Sequence, residues 1–309
     1  MRIVFFGTPE FAVPSLRALL RESDAFTVVA VVTQPDRPRG RSRSTLTPPP
    51  VKVAALEAGI PVLQPERPVG DVFHKQLEHF RPDIGVVAAY GHILRPDVLA
   101  LPARGMINVH ASLLPRHRGA APINWAILSG DQMTGISIMQ MEAGLDSGPV
   151  YHQVETPIDA TDTVGSLTDR LAVLGAAALI EGLTLIESGI ARAAPQDPAL
   201  VTLAPKTTRD LTHIDWTEDA VQVARRIRAF DPAPGAWTTH EGHDIKLFGP
   251  MPILGQGAAG TVIPLDDALM VITGAGAVRV EEVQPAGRSR MPVSAWLRGR
   301  RGTPAGTFG

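Results

Sequence analysis

A parallel-rich α/β sheet of the doubly wound, Rossmann-like kind, followed by a small β-barrel of the oligonucleotide-binding (OB-like) type, is the fold class predicted by three observations. The first hundred residues alternate short apolar runs with amphipathic runs of helical length, the pattern of strands joined by crossover helices. A stretch rich in Ala, Pro and polar residues but without periodicity runs from Gly189 to Thr208 and reads as a linker. Beyond it, short β-like runs are separated by Gly and Pro, as in small barrels and sandwiches.

Each element follows from its own residues. Strands are expected at Arg2 to Phe6, Phe26 to Thr33, Val62, Ile84 to Ala88 and Met106 to His110, with helices over Phe11 to Arg21, Pro50 to Ala58 and Asp71 to Phe80 between the earlier ones. A strand over Val150 to Thr156 and a long helix from about Thr161 to Glu187 complete a first domain, residues 1–189. The linker takes 190–208. The second domain, 209–309, opens with a helix from Asp219 to Ala229 and continues with strands at Asp244 to Phe248, Gly260 to Pro264, Ala268 to Thr273 and Ala277 to Val283. Ligands of parallel sheets gather beyond the carboxyl ends of the strands, so the loops after Phe6, Thr33, Ala88 and His110 are where a site is expected.

Composition narrows the chemistry. The 309 residues are 44% hydrophobic and 19% charged, ordinary for a globular protein. The opening MRIVFFGTPEF reads as a strand entering a turn rather than a signal peptide, and no run is long enough to span a bilayer. A cytoplasmic monomer without membrane contact is expected. The absence of cysteine removes thiolate nucleophiles and Cys-ligated zinc, and His74, His79, His92, His117 and His152 have no metal-ligand spacing, so no metal is expected and these histidines read as surface or packing residues. A formal charge of −2 hides two basic clusters. Four arginines, Arg37, Arg39, Arg41 and Arg43, alternate with small residues in the loop Gln34 to Pro50, which is longer than most connections. Five more fall between Arg288 and Arg301, with no acid after Glu282. Each guanidinium suits a phosphate, which points to a local polyanion contact.

The segment Asn108 to Asp146 carries the chemistry. Asn108 and His110, two apart on a strand, project from one face. A carboxamide N–H and an imidazole are suited to a developing oxyanion, and a carboxylate at Asp146 is suited to orienting and charging that imidazole and to moving protons. With no thiol in the chain, the nucleophile is expected to come with the substrate. The turn Gly7 to Glu10 lacks the glycine spacing of a dinucleotide loop and reads as a simple connection.

FFGTPEFAVPSL at Phe5 to Leu16, TQPDRPRGR at Thr33 to Arg41, PVK at Pro50 to Lys52, NVHASLLPRHRGAAPINWAI at Asn108 to Ile127 and MEAGLDSGPV at Met141 to Val150, with APK, HIDW and GAW beyond the linker, together resemble the methionyl-tRNA formyltransferase family over nearly the whole chain. The resemblance implies a formyltransferase catalytic domain with Asn108, His110 and Asp146 as the catalytic trio, and 10-formyltetrahydrofolate as the formyl-donor cosubstrate. It implies that Ser112, Leu113, Leu114 and Pro115 help to bind the folate, with a pterin pocket at Val87, Ala88, Ala89 and Tyr90 and at Met141, Glu142, Ala143 and Gly144. Initiator methionyl-tRNA is the implied partner, met by Arg37, Arg39, Arg41, Arg43, Lys52 and Lys206 and by the barrel. Three other readings use the same residues: formyl transfer to an amino sugar nucleotide, hydrolysis of formyltetrahydrofolate, and a noncatalytic RNA-binding protein on a Rossmann-like scaffold.

Overall fold

Ile3, Val4, Phe5 and Phe6 are consecutive, apolar and fully buried, which only a strand covered on both faces allows. This strand, β1 (Arg2–Gly7), lies inside a seven-stranded sheet, third from one edge, in a computed structural model that describes residues 1–39, 45–299 and 306–309. Arg41, Arg43, Arg300 and Arg301 lie outside the described residues, as does the side chain of Arg39. Two compact units alternate along the chain. Met1–Gly119, Met133–Pro157 and Thr168–Leu203 form the first, and Ala120–Gln132, Ile158–Leu167 and Ala204–Gly309 the second.

In the first unit, β1 is followed by β2 (Thr27–Val32), β3 (Val62–Leu63), β4 (Ile84–Ala88), β5 (Met106–His110), β6 (Met133–Gln140) and β7 (Val150–Pro157). The order across the sheet is β3-β2-β1-β4-β5-β6-β7. The first five strands pair in parallel, and β6 and β7 are added antiparallel. The order reverses between β1 and β4, where Gly7 pairs with Ala88; such switch points open a crevice at the strand ends.

Helices α1 (Val13–Arg21), α2 (Pro50–Glu57) and α3 (Asp71–His79) connect the early strands. Phe73 and Leu77, one turn apart on α3, join Phe6, Val32, Val87, Tyr90 and Met106 in one buried cluster. Each large apolar side chain so buried contributes roughly 1.5–3 kcal/mol. The helix from Val164 to Glu187 approaches the sheet closely through Gly182, where a Cβ would stand 3.1 Å from Ile138 Cγ2.

The second unit holds a helix over Pro122–Ser129, a helix over Ala220–Ala229, and a curled antiparallel sheet. Its main strands run Ala236–His240, His243–Ile253, Thr261–Pro264, Leu269–Ile272 and Ala277–Pro285, with Gly306–Thr307 at one edge. The expected barrel is a half-barrel: among the described residues the strand ladder stays open, with Gly309 N–H to Thr239 O at 3.3 Å between the two edges. Phe308 is buried, so the end of the chain is part of this unit. Asn124 Nδ2 donates to Ala229 O at 2.7 Å, which joins the first helix to the second. No helix among the described residues is long and apolar enough to cross a membrane.

Candidate active site

The run Met106-Ile-Asn-Val-His110 pairs with β4 on one side and β6 on the other. Its alternation puts Asn108 and His110 on one face. Asn108 is half-buried, and its carboxamide makes no hydrogen bond among the described residues. His110 is 5% exposed. Its Nε2 lies 3.0 Å from the carbonyl oxygen of His117. A carbonyl only accepts, so Nε2 carries the hydrogen. The other nitrogen, Nδ1, faces Asp146 Oδ2 at 3.8 Å. Burial pulls the His110 pKa below its ordinary value, and this outweighs the upward pull of the Asp146 carboxylate and of the bond to His117. The imidazole is therefore neutral at pH 7, with a lone pair on Nδ1 directed toward Asp146. Of the tasks the sequence suggests for Asp146, orienting His110 and charging it, burial works against the second in the free protein.

Asp146 is brought to His110 by a turn held in an uncommon backbone conformation. Of the five non-glycine residues with positive φ among those described, three lie here: Ala89 at +46°, His117 at +57° and Asp146 at +45°. Such conformations cost on the order of 1 kcal/mol or more each and persist only where their surroundings impose them. Asp146 Oδ2 accepts from Gly119 N–H at 2.9 Å. Two residues on, Gly148 has no room for a side chain, since a Cβ there would stand 2.0 Å from Gln140 O.

His117 adds to its expected role in packing. Its ring is 4% exposed, as packing requires, but its main-chain carbonyl also fixes the tautomer of His110. No side-chain pattern signals a carbonyl. Gln196, in the expected linker, is likewise part of the site: its Nε2 donates to Asp146 O at 2.8 Å and Gly148 O at 2.7 Å, while its Oε1 accepts from Arg118 Nε and Nη2 at 2.9 and 2.8 Å.

The expected folate residues divide by burial. Ser112 is fully buried and donates from Oγ to Arg116 O at 2.6 Å. Leu114 is also buried, with its main chain tied to Ser137 and Gln153. Those two side chains shape the loop from within, and the half-buried Leu113 and Pro115 are what it presents outward. Val87, Ala88 and Tyr90 are buried whereas Ala89 is exposed. Desolvation pushes the Tyr90 hydroxyl up to about 12, so it stays protonated. Met141 is half-buried, and Glu142, Ala143 and Gly144 are exposed.

The turn after β1 is more than a connection. Thr8 Oγ1 donates to Tyr90 O at 2.9 Å, and Gln34 Nε2 reaches the same carbonyl at 3.1 Å. Gln34 Oε1 accepts from Arg37 Nη2 at 2.6 Å, so the loops after β1, β2 and β4 meet at Tyr90 O. Arg37 opens a short hairpin, Arg37–Arg39 paired with Thr45–Thr47. Below it lies a cleft of about 570 Å³ whose lining includes Thr8, Arg17, Gln34, Arg37 and Val53 and none of the expected catalytic trio. The Lys52 amine bonds both oxygens of Asp36 at 2.8 Å, so its charge anchors the base of the loop. Bonds from Gln64 and then from Lys52 hold the Asp36 carboxyl below the usual range. Lys206, in the second unit, is exposed. In the carboxy-terminal cluster, Arg290 is neutralised by Asp231 at 2.6 Å and Glu282 at 2.5 Å.

Residues 1–183 match the family model described as formyl transferase, and residues 206–301 match formyl transferase, C-terminal domain. Fold and site thus define a formyl transferase. Over 306 residues the chain is 49% identical to a methionyl-tRNA formyltransferase of Stenotrophomonas maltophilia (strain K279a), covering 97% of this chain and 98% of that one. It is 46% identical to that of Geobacillus thermodenitrificans (strain NG80-2), covering 96% and 93%. The chain belongs to the methionyl-tRNA formyltransferase family. Among solved structures, the methionyl-tRNA formyltransferase from Clostridium thermocellum shares the fold with a TM-score of 0.58 at 12% identity, covering 88% of this chain and 99% of that one. HypX from Aquifex aeolicus in complex with tetrahydrofolic acid does so with 0.65 at 21%, covering 97% and 47%.

Proposed function

We propose that this chain transfers the formyl group of 10-formyltetrahydrofolate to the α-amine of methionine carried on initiator tRNA, with Asn108, His110 and Asp146 as its catalytic residues. The observation that carries the reading is the buried His110 imidazole, tautomer fixed, facing Asp146 on the strand that also presents Asn108. Near one-half identity over the whole length to methionyl-tRNA formyltransferases selects tRNA over the amino sugar acceptor.

In the proposed reaction the substrate amine attacks the formyl carbon. A new C–N bond forms, and the carbonyl electrons move onto oxygen. Asn108 Nδ2 donates to that oxyanion. The amine proton passes to His110 Nδ1, the nitrogen with the lone pair, and the imidazolium so formed is stabilised by Asp146 and lends its positive charge to the oxyanion held by Asn108. Collapse breaks the bond from the formyl carbon to the folate nitrogen, which takes the proton, and His110 is neutral again. Charge on the imidazole therefore develops together with charge on the substrate, in a site dry enough to strengthen both.

For the donor, the exposed Ala89 and the half-buried Leu113, Pro115 and Met141 offer apolar surface beside main-chain groups, which suits a flat heterocycle. For the acceptor, Arg37 and its neighbours supply charge for the phosphates. Incubation with methionyl initiator tRNA and 10-formyltetrahydrofolate is expected to yield formylmethionyl-tRNA. Formylation of an amino sugar nucleotide instead, or release of formate alone, would overturn the reading.

A further inference from the structure

We propose that Gln196 is a positioning residue for this reaction, holding the Asp146 turn so that the carboxylate faces His110. The proposal rests on the functional reading above for the reaction it serves, and on geometry for the role itself.

Asp146 has φ +45°, a region that side chains other than glycine's rarely adopt. Nothing in the sequence Leu145-Asp146-Ser147-Gly148 imposes it on its own. The Gln196 carboxamide spans the turn, giving one N–H to Asp146 O at 2.8 Å and one to Gly148 O at 2.7 Å. Its orientation is itself determined, because Oε1 accepts two bonds from Arg118. Rotating the amide by half a turn would set its NH2 against the guanidinium and its oxygen against two carbonyls.

The connection then closes on itself. Three consecutive residues each hold one member of the site: His117 O accepts from His110, Arg118 holds Gln196, and Gly119 N–H donates to Asp146 Oδ2. His110 and Asp146 are thus referenced to the same short segment, Asp146 twice, once through its carboxylate and once through Gln196. A half-buried polar network in which the Gln196 amide uses both its N–H groups and its oxygen favours one arrangement of that side chain. Small errors in placing a catalytic group lower the rate far more than they lower binding.

The test uses Gln196→Met, which keeps length and loses every bond, and Gln196→Glu, which still accepts from Arg118 but turns an oxygen toward the two carbonyls. Both are expected to lower kcat for formylation about 10- to 100-fold, with KM for methionyl-tRNA and for 10-formyltetrahydrofolate within about twofold of the unmodified protein. In an Asp146→Asn background, Gln196→Met is expected to cost less than about twofold more, because a residue that acts through Asp146 then has nothing to act upon. The imidazole titration of His110, followed by NMR, is expected to move to lower pH in both variants as Asp146 swings away. Thermal unfolding checks that each variant is folded.

Unchanged kcat in both variants, or losses that multiply in the Asp146→Asn background, would overturn the proposal. So would an unmoved His110 titration, a readout that does not depend on the formyl acceptor. Failure of the unmodified protein to formylate methionyl-tRNA would instead overturn the functional reading.

Discussion

His110 Nδ1 and Asp146 Oδ2 stand 3.8 Å apart with the His110 hydrogen on the opposite side of the ring, donated to the His117 carbonyl. A lone pair and a carboxylate face each other across a gap that one proton would close. The arrangement is poised to accept a proton, and its proton affinity rises when negative charge develops nearby.

The pH dependence follows from that state. Burial holds the folded His110 pKa below its ordinary 6.5, so the proton-accepting form predominates above pH 6.5 and is lost as pH falls through the lowered folded value. Stability has the same sign: the unfolded chain takes the proton first, so the contribution from the neutral buried imidazole is present above pH 6.5 and declines in acid. The acid limb of kcat/KM is expected to be centred below 6.5, and in Asp146→Asn, which removes the pull toward the charged form, to lie lower still. Asp146→Asn is also expected to lower kcat on the order of 10²-fold or more. An acid limb centred above pH 6.5 in the unmodified protein would contradict the assignment of His110.

Asn108 separates binding from rate. Its half-buried carboxamide lies on the same face as His110 and is assigned to an oxygen that carries full charge only in the transition state. Asn108→Ala is expected to reduce kcat about 10²- to 10³-fold while KM for either substrate changes little. A tenfold rise in KM at constant kcat would mean that Asn108 holds the ground state instead.

Much of the fold was readable because period and burial agree. Ile84 to Ala88 is a buried strand wherever it is placed, and Met106 to His110 puts Asn108 and His110 on one face by alternation alone. The parts that were not readable are those carried by the main chain or by distant partners. The His117 carbonyl has no side-chain signature, and Gln196 lies 50 residues from Asp146 in a stretch without periodicity. Thr8 and Gln34, 26 residues apart, come together at the Tyr90 carbonyl and through the Gln34 N–H to Thr8 Oγ1 bond. The half-barrel falls between, since a strand pattern gives the number of strands but not whether the last ladder closes.

Gly148 is where packing tests the site. A Cβ there would meet the main-chain oxygen of Gln140 at 2.0 Å, and backbone cannot give way as a flexible side chain can. Gly148→Ala is expected to cost about 1–3 kcal/mol of stability, seen as a lower unfolding temperature, and to lower kcat more than tenfold, because the turn that moves carries both Asp146 and the acceptor for Gln196. Full activity at full stability would show that the turn is looser than its geometry.

The arginine loop yields a measurement of its own. Gln34 ties Arg37 to the Tyr90 carbonyl, so the guanidinium is held in place before any RNA arrives. An arginine that meets one phosphate contributes close to one unit to the slope of log affinity against log salt. Arg37→Ala is expected to reduce that slope for initiator tRNA by about one and to raise KM with little change in kcat. Gln34→Ala keeps the charge but frees the side chain. It is expected to leave the salt slope nearly intact and to raise KM several-fold, the cost of ordering a long side chain on binding. An unaltered slope in Arg37→Ala would remove Arg37 from the tRNA contacts and leave that role to the other arginines of the loop.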